Sequence, residues 1–160
     1  MASKHFTILV IEDDPSIRRL VTTLVISAGF DVVEASTGLE AIRMLDEYDY
    51  PVIVLDLMLP GLSGFEVLDL VAEKGCESCV IVMTALSDDS LQDLNRNLVF
   101  DVVYKPFDLN RFKEVIIAAA DERRRRGARL NLKQPKDRGP ARSAEPREGV
   151  SDQDRIADDD

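Results

Sequence analysis

The chain has no long apolar run, and that absence excludes the most. No stretch approaches the ~20 consecutive apolar residues a membrane-spanning helix needs. The opening segment MASKHFTILVIEDDP reaches acids before a sustained apolar stretch can form, so no secretory leader is expected and the protein reads as cytoplasmic. Cysteine is scarce. Cys76 and Cys79 share one CESC stretch, no second pair exists, and the single histidine, His5, lies far away in sequence, so a zinc site is not completed. The two read as incidental thiols. No glycine-rich turn follows the first apolar run, which removes a dinucleotide-binding role. Cations are the minority, 20 Lys and Arg against 30 Asp and Glu, for a formal charge of −10. Phosphate backbones repel such a surface, so nucleic acid is not the main partner.

The charge is unevenly spread. Residues 1–122 hold 9 Lys/Arg and 22 Asp/Glu, a net of −13, whereas residues 123–160 hold 11 and 8, a net of +3. A length of 160 residues with 45% hydrophobic content suits one ordinary domain. The expected division is a folded domain over 1–122 and a disordered charged tail over 123–160. The tail has no apolar period and is rich in Pro, Gly, Arg and Asp, so it cannot bury enough surface to offset the entropy of ordering. A helix-turn-helix would need roughly 60 further residues with periodic apolar positions, so no fused DNA-binding output is expected. The run RRRR (123–126) suits a helix C-terminus and a solvated surface.

What is present is an alternation of two patterns. FTILVI (6–11), DVVEA (31–35), VIVLD (52–56), CVIVMT (79–84) and DVVYK (101–105) are short apolar or β-branched runs, the mark of buried strands. Between them lie helical stripes. Ile17, Leu20, Val21, Leu24 and Val25 form the first, with Asp14 as N-cap and Pro15 behind it. TGLE (37–40) and SGFE (63–66) are capping boxes for the second and third. Leu91, Leu94 and Leu98 stripe a fourth helix; Leu109, Phe112, Val115, Ile116 and Ala119 a fifth. Five strands alternating with five helices predict an α/β fold, a five-stranded parallel sheet with helices on both faces.

In open α/β sheets, ligands bind off the carboxyl ends of the strands. This chain places Glu12, Asp13 and Asp14 after the first strand, Asp56 at the end of the third, Thr84 at the end of the fourth and Lys105 after the fifth. Acids favour a helix N-terminus in any protein, and Asp14 fits that role. Asp56 does not, because a carboxylate closing the buried run VIVLD is costly without a purpose. Clustered carboxylates repel, and they protonate or recruit a cation. An all-oxygen cluster favours a hard ion, Mg²⁺ above all. With such an ion and Lys105 alongside, Asp56 can act as a nucleophile that forms an acyl phosphate, while Thr84 donates a hydrogen bond to a phosphoryl oxygen.

The segments ILVIEDDPSIRRLV, VIVLDLMLPGLSGFEVL, VIVMTALSDD and YKPFDLNRF resemble, in this order, the receiver domain of two-component response regulators. The resemblance runs from near residue 5 to near 122. It implies a flavodoxin-like (βα)5 fold with strand order 2-1-3-4-5. It makes Asp56 the phosphoacceptor, Thr84 the switch hydroxyl and Lys105 the phosphoryl contact. It assigns Mg²⁺ to Glu12, Asp13, Asp56 and the main-chain carbonyl of Met58. The expected protein is a stand-alone receiver, not an enzyme, phosphorylated by a histidine kinase or phosphotransfer protein and acting through an unidentified protein target, or serving as a phosphate shuttle or sink. A metal-dependent phosphatase with an aspartyl nucleophile is the rival, but such enzymes carry a second Asp where this chain has Met58. One departure stands out: the aromatic residue usual three positions before the lysine is Val102 here, and LVF (98–100) replaces the usual Gly-Ala-Asp. Tyr104, on the same strand face as Val102, is the candidate substitute.

Overall fold

The computed structural model describes residues 6–130, in which five strands form one parallel sheet. They are β1 (Thr7–Ile11), β2 (Asp31–Ala35), β3 (Val52–Asp56), β4 (Cys79–Thr84) and β5 (Val99–Tyr104), in the order β2-β1-β3-β4-β5. The chain steps from β1 outward to β2, then crosses to β3 on the other side, which leaves a switch point between β1 and β3. Strands β3 and β4 are buried at every residue, and β1 at all but its first. Burial on both faces is why these segments read as unbroken apolar runs. The edge strands β2 and β5 are largely half-exposed.

Helices cover both faces. On one side α1 (Pro15–Ser27) and α4 (Leu109–Leu130) pack Val21, Val25, Phe112 and Ile116 against Ile8, Val10, Val54 and Ile81. On the other, α2 (Gly38–Glu47) and α3 (Gly64–Glu73) pack Ala41, Leu45, Val67 and Leu68 against Leu9, Ile11, Ile53 and Leu55. The predicted caps form. Asp14 Oδ1 accepts from the N–H groups of Ser16 and Ile17 at 2.8 and 3.0 Å. Ser63 and Glu66 make a reciprocal capping box. At α2 the box is only half closed: Thr37 accepts from the Glu40 N–H, but the Glu40 carboxylate reaches past it to Ser36.

Three expectations are corrected. The fourth helix is absent: Asp88–Leu91 is a 3₁₀ turn, and the chain runs on through turns to β5. Leu91 and Leu94 are buried as expected, but as plugs of a loop. The intervening Asp93, Asn95 and Asn97 are poor helix formers, and the Asn97 N–H bonds the Asn95 side chain instead of a helical carbonyl. Second, β5 starts at Val99 rather than Asp101, with a register shift opposite Val80 and Ile81. Third, α4 continues to Leu130, so the segment 123–130 assigned to the disordered tail is helical. Side chains beyond the apolar stripe carry the extension. Arg124 and Arg126 pair with Asp121 and Glu122 at 3.1 and 2.9 Å. Arg123 comes within 3.9 Å of Glu77, and the Arg124 guanidinium lies 4.7 Å from the centre of the Phe6 ring and 5.8 Å from that of Phe30. The rest of the predicted tail lies outside the described residues. Among those described, no helix is long and apolar enough to cross a membrane.

Because Arg124 covers two rings of the core, Arg124→Ala should cost about 1 kcal/mol in urea denaturation. Arg125→Ala, whose side chain is 70% exposed, should stay within about 0.5 kcal/mol of wild type.

Candidate functional site

Three strand ends bring their charges to one point. Asp56 is the last residue of β3, Glu12 follows β1, and Lys105 follows β5. The Glu12 N–H bonds the Ala35 carbonyl at 3.1 Å and the Lys105 N–H bonds the Thr84 carbonyl at 2.8 Å, so each loop continues the ladder of the strand before it. Lys105 Nζ then reaches back across the sheet, donating to Glu12 Oε2 at 2.8 Å and to Asp56 Oδ2 at 3.0 Å. Both carboxylates are almost inaccessible, Glu12 at 1% exposure and Asp56 at 2%. Their remaining oxygens are held by the backbone. Glu12 Oε1 accepts from the Asp14 N–H at 3.1 Å, and Asp56 Oδ1 from the Met58 N–H at 2.9 Å.

Asp13 is exposed, yet it offers an oxygen to the same group. Carboxylate oxygens of Glu12, Asp13 and Asp56 all lie within 4.8 Å of one another. Thr84 is fully buried at the end of β4, where its Oγ1 accepts from the Leu86 N–H at 3.1 Å. Met58 keeps its side chain exposed and touches the cluster through its main chain. Glu12, Asp13, Asp56 and Lys105 are thus brought together directly, Met58 through its N–H, and Thr84 at the neighbouring strand end. Val102 is half-buried, packed on the core with Leu91 and Leu94, and the Tyr104 hydroxyl on the same face donates to the Asp88 carboxylate.

Two supporting residues were missed in the sequence. Arg18, one turn into α1, donates to the carbonyls of Glu12 at 2.9 Å and Asp13 at 3.3 Å, which fixes the acidic loop. A cation a few residues after an acidic triplet is a faint signal of this. Gly64 is the other. A Cβ there would overlap the Asp56 carbonyl oxygen and sit 2.5 Å from Leu57 Cα, so only glycine lets α3 begin against the end of β3. The Gly64 N–H returns to the Leu57 carbonyl at 3.1 Å, and Gly61, at φ +75°, supplies the left-handed turn between them. The sharp turn after Asp56 latches the acid in place.

Residues 8–117 match the family of the response regulator receiver domain. The chain belongs to that family. Among curated relatives, the transcriptional regulatory protein KdpE of Mycobacterium tuberculosis is 37% identical over 131 residues, covering 80% of this chain and 55% of that protein. The probable transcriptional regulator ycf27 of Porphyridium aerugineum is 39% identical over 101 residues, 62% of this chain and 42% of that one. The chain therefore spans about half the length of the curated relatives it matches. Among solved structures, the signal receiver domain of a putative Luxo repressor protein from Vibrio parahaemolyticus superposes with a TM-score of 0.74 at 26% identity, over 82% of this chain and 99% of that one. The response regulator TrrA of Thermotoga maritima, solved in complex with Mg²⁺-BeF, gives 0.65 at 30% identity, over 71% and 98%.

The receiver's donor set fits a hard divalent ion. It is all oxygen, three carboxylates against one ammonium, and Asp13 leaves it open to solvent. Electrostatics point the same way. Burial pushes Glu12 up to about 7, against the hydrogen bonds from Lys105 and from the Asp14 N–H, and the charge on Asp56 adds to the rise. For Lys105, burial opposes the charged form, but the bonds to Glu12 and Asp56 outweigh it and hold the ammonium above the usual lysine range.

Folding without metal should therefore favour a protonated Glu12. Its stabilising contribution is complete below pH 4.5 and is lost as the pH rises through about 7. In EDTA, wild type should lose roughly 1–3 kcal/mol over that window relative to Glu12→Gln. Stabilisation by added Mg²⁺ should grow over the same window, because the ion competes with the proton. Thermal and urea melts across pH 4.5–7.5 check both trends.

Proposed function

We propose that this receiver accepts a phosphoryl group on Asp56, in a Mg²⁺-dependent reaction with a sensor histidine kinase or a phosphotransfer protein. The observation that carries this reading is a carboxylate 2% exposed at a strand tip, with an ammonium 3.0 Å away and two further acids beside it. A structural carboxylate has no need of such company. In the transfer, an Asp56 carboxylate oxygen bonds to phosphorus while the bond from phosphorus to the donor's imidazole nitrogen breaks. The electron pair leaves on that nitrogen, and the product is an acyl phosphate. Lys105, already on Asp56, shifts to a phosphoryl oxygen. Thr84 donates its hydroxyl hydrogen to another as it turns from Leu86. The Met58 N–H holds the carboxylate in line. We assign Glu12, Asp13, Asp56 and the Met58 carbonyl as metal ligands; a bound Mg²⁺ supplies positive charge against the transferring group. The likeness to TrrA, solved with Mg²⁺-BeF, supports that choice of ion.

On this reading the protein is a phosphoacceptor rather than an enzyme: hydrolysis of the acyl phosphate only restores the starting state. Met58, with no carboxyl group, stands where an aspartyl phosphatase would carry its second acid. Output goes to a protein partner that distinguishes the two states. Tyr104 stands in for the aromatic reporter that Val102 cannot be, since a valine has no polar tip to move between solvent and core. The Tyr104 bond to Asp88 ties β5 to the 3₁₀ turn just beyond Thr84, which supports that role.

With acetyl phosphate and Mg²⁺, intact-mass measurement should find one phosphoryl group on wild type and none on Asp56→Asn. Undiminished labelling of the variant would move the acceptor elsewhere. The chain has no Trp and three Tyr, so a Tyr48→Phe, Tyr50→Phe background isolates the emission of Tyr104. It should change on phosphorylation as the Asp88 bond is remade; a flat signal would leave Tyr104 a bystander.

A further inference from the structure

The missing fourth helix leaves a space. Between α3 and the segment that joins β4 to β5 lies a cleft of about 340 Å³, lined by Phe65, Leu68, Asp69, Ser90, Asp93 and Asn95. None of these belongs to the acidic cluster at the strand ends. Phe65 is half-buried and Leu68 fully buried, so the apolar surface the α3 wall offers is that of Phe65. Asp69 on α3 and Asp93 on the loop are both exposed, from opposite walls, and no cation is among the lining residues. Neither acid takes part in an ion pair among those described. The opposite wall is a 3₁₀ turn followed by irregular chain, not a helix with its backbone groups spent on itself.

We propose that this cleft docks a short segment of a partner protein in which an aliphatic or aromatic side chain stands beside Arg or Lys. The apolar group covers Phe65, and the cation lies between Asp69 and Asp93. The two features select together. An acidic or phosphorylated segment is repelled by both walls, and a polar cation alone leaves the apolar side unfilled. The volume is at the small end of the range for ligand sites and suits one or two side chains rather than a whole helix.

The probe is the peptide Ac-Phe-Arg-Arg-amide, with its citrulline counterpart as a neutral isostere, titrated into the full chain in Mg²⁺ buffer and followed by amide NMR. Saturable shifts centred on Leu68, Asp69, Ser90 and Asp93 are expected for the arginine peptide. The citrulline peptide should bind about tenfold more weakly, as should the arginine peptide to an Asp69→Asn, Asp93→Asn variant. Both positions are exposed, so the variant should keep the wild-type melting temperature. Shifts that avoid the cleft, gather at Glu12 and Asp13, or survive the removal of both charges overturn the proposal.

Discussion

The rest of the molecule is arranged around one contact, the reach of Lys105 across the sheet to two carboxylates that water barely touches. Two carboxylates at the end of a low-dielectric slab, once both are ionised, repel each other and lose their hydration, and one ammonium offsets part of both costs. The three charges come from strands that are not neighbours in sequence, so they meet only if the sheet has the order β2-β1-β3-β4-β5, which sets the ends of β1 and β3 side by side. The backbone helps as much as the charge. Asp14 and Met58 each turn an N–H onto an acid, and Arg18 pins the carbonyls beneath Glu12 and Asp13. The result is a polar knot at the rim of an apolar core, held in a geometry that favours the arrival of a cation and, on the proposed reading, of a phosphoryl group.

Burial also separates one acid of the cluster from the next. Glu12 is inaccessible and holds its proton to about neutrality, whereas Asp13, one residue on, faces solvent. On the proposed reading both are ligands to one ion, the buried member at the floor of the site and the exposed member at its mouth. Asp14 then leaves the site altogether and caps α1. Three successive acids have three distinct jobs because the chain passes from strand to loop to helix over their length.

Most of this was legible where chemistry is local. Unbroken apolar runs marked β1, β3 and β4 because burial on both faces forces that pattern, and Asp14, Thr37 and Ser63 marked the helix starts because caps are made within four residues. Every predicted site residue lies on the predicted rim because strand ends carry their neighbours with them. Failures came where distant contacts decide. Leu91, Leu94 and Leu98 have helical spacing, but Asp93, Asn95 and Asn97 weaken the backbone ladder, and the leucines reach the core without it. The C-terminal arginines have no apolar period at all; what holds their helix is Arg124 against Phe6 and Phe30, rings more than ninety positions upstream. Arg18 left only a faint signal and Gly64 none, for the same reason: each acts on a backbone atom that no sequence pattern names.

Gly64 has one more consequence. Because α3 starts in contact with the carbonyl of Asp56, Phe65 and Leu68 are carried on the same rigid piece as the acid. The facing loop hangs from the other strand end, through the Thr84 hydroxyl and the Leu86 amide. The two jaws of the cleft are thus mounted on adjacent strands, like those of a caliper. Its width is therefore fixed by how the tips of β3 and β4 are set against each other.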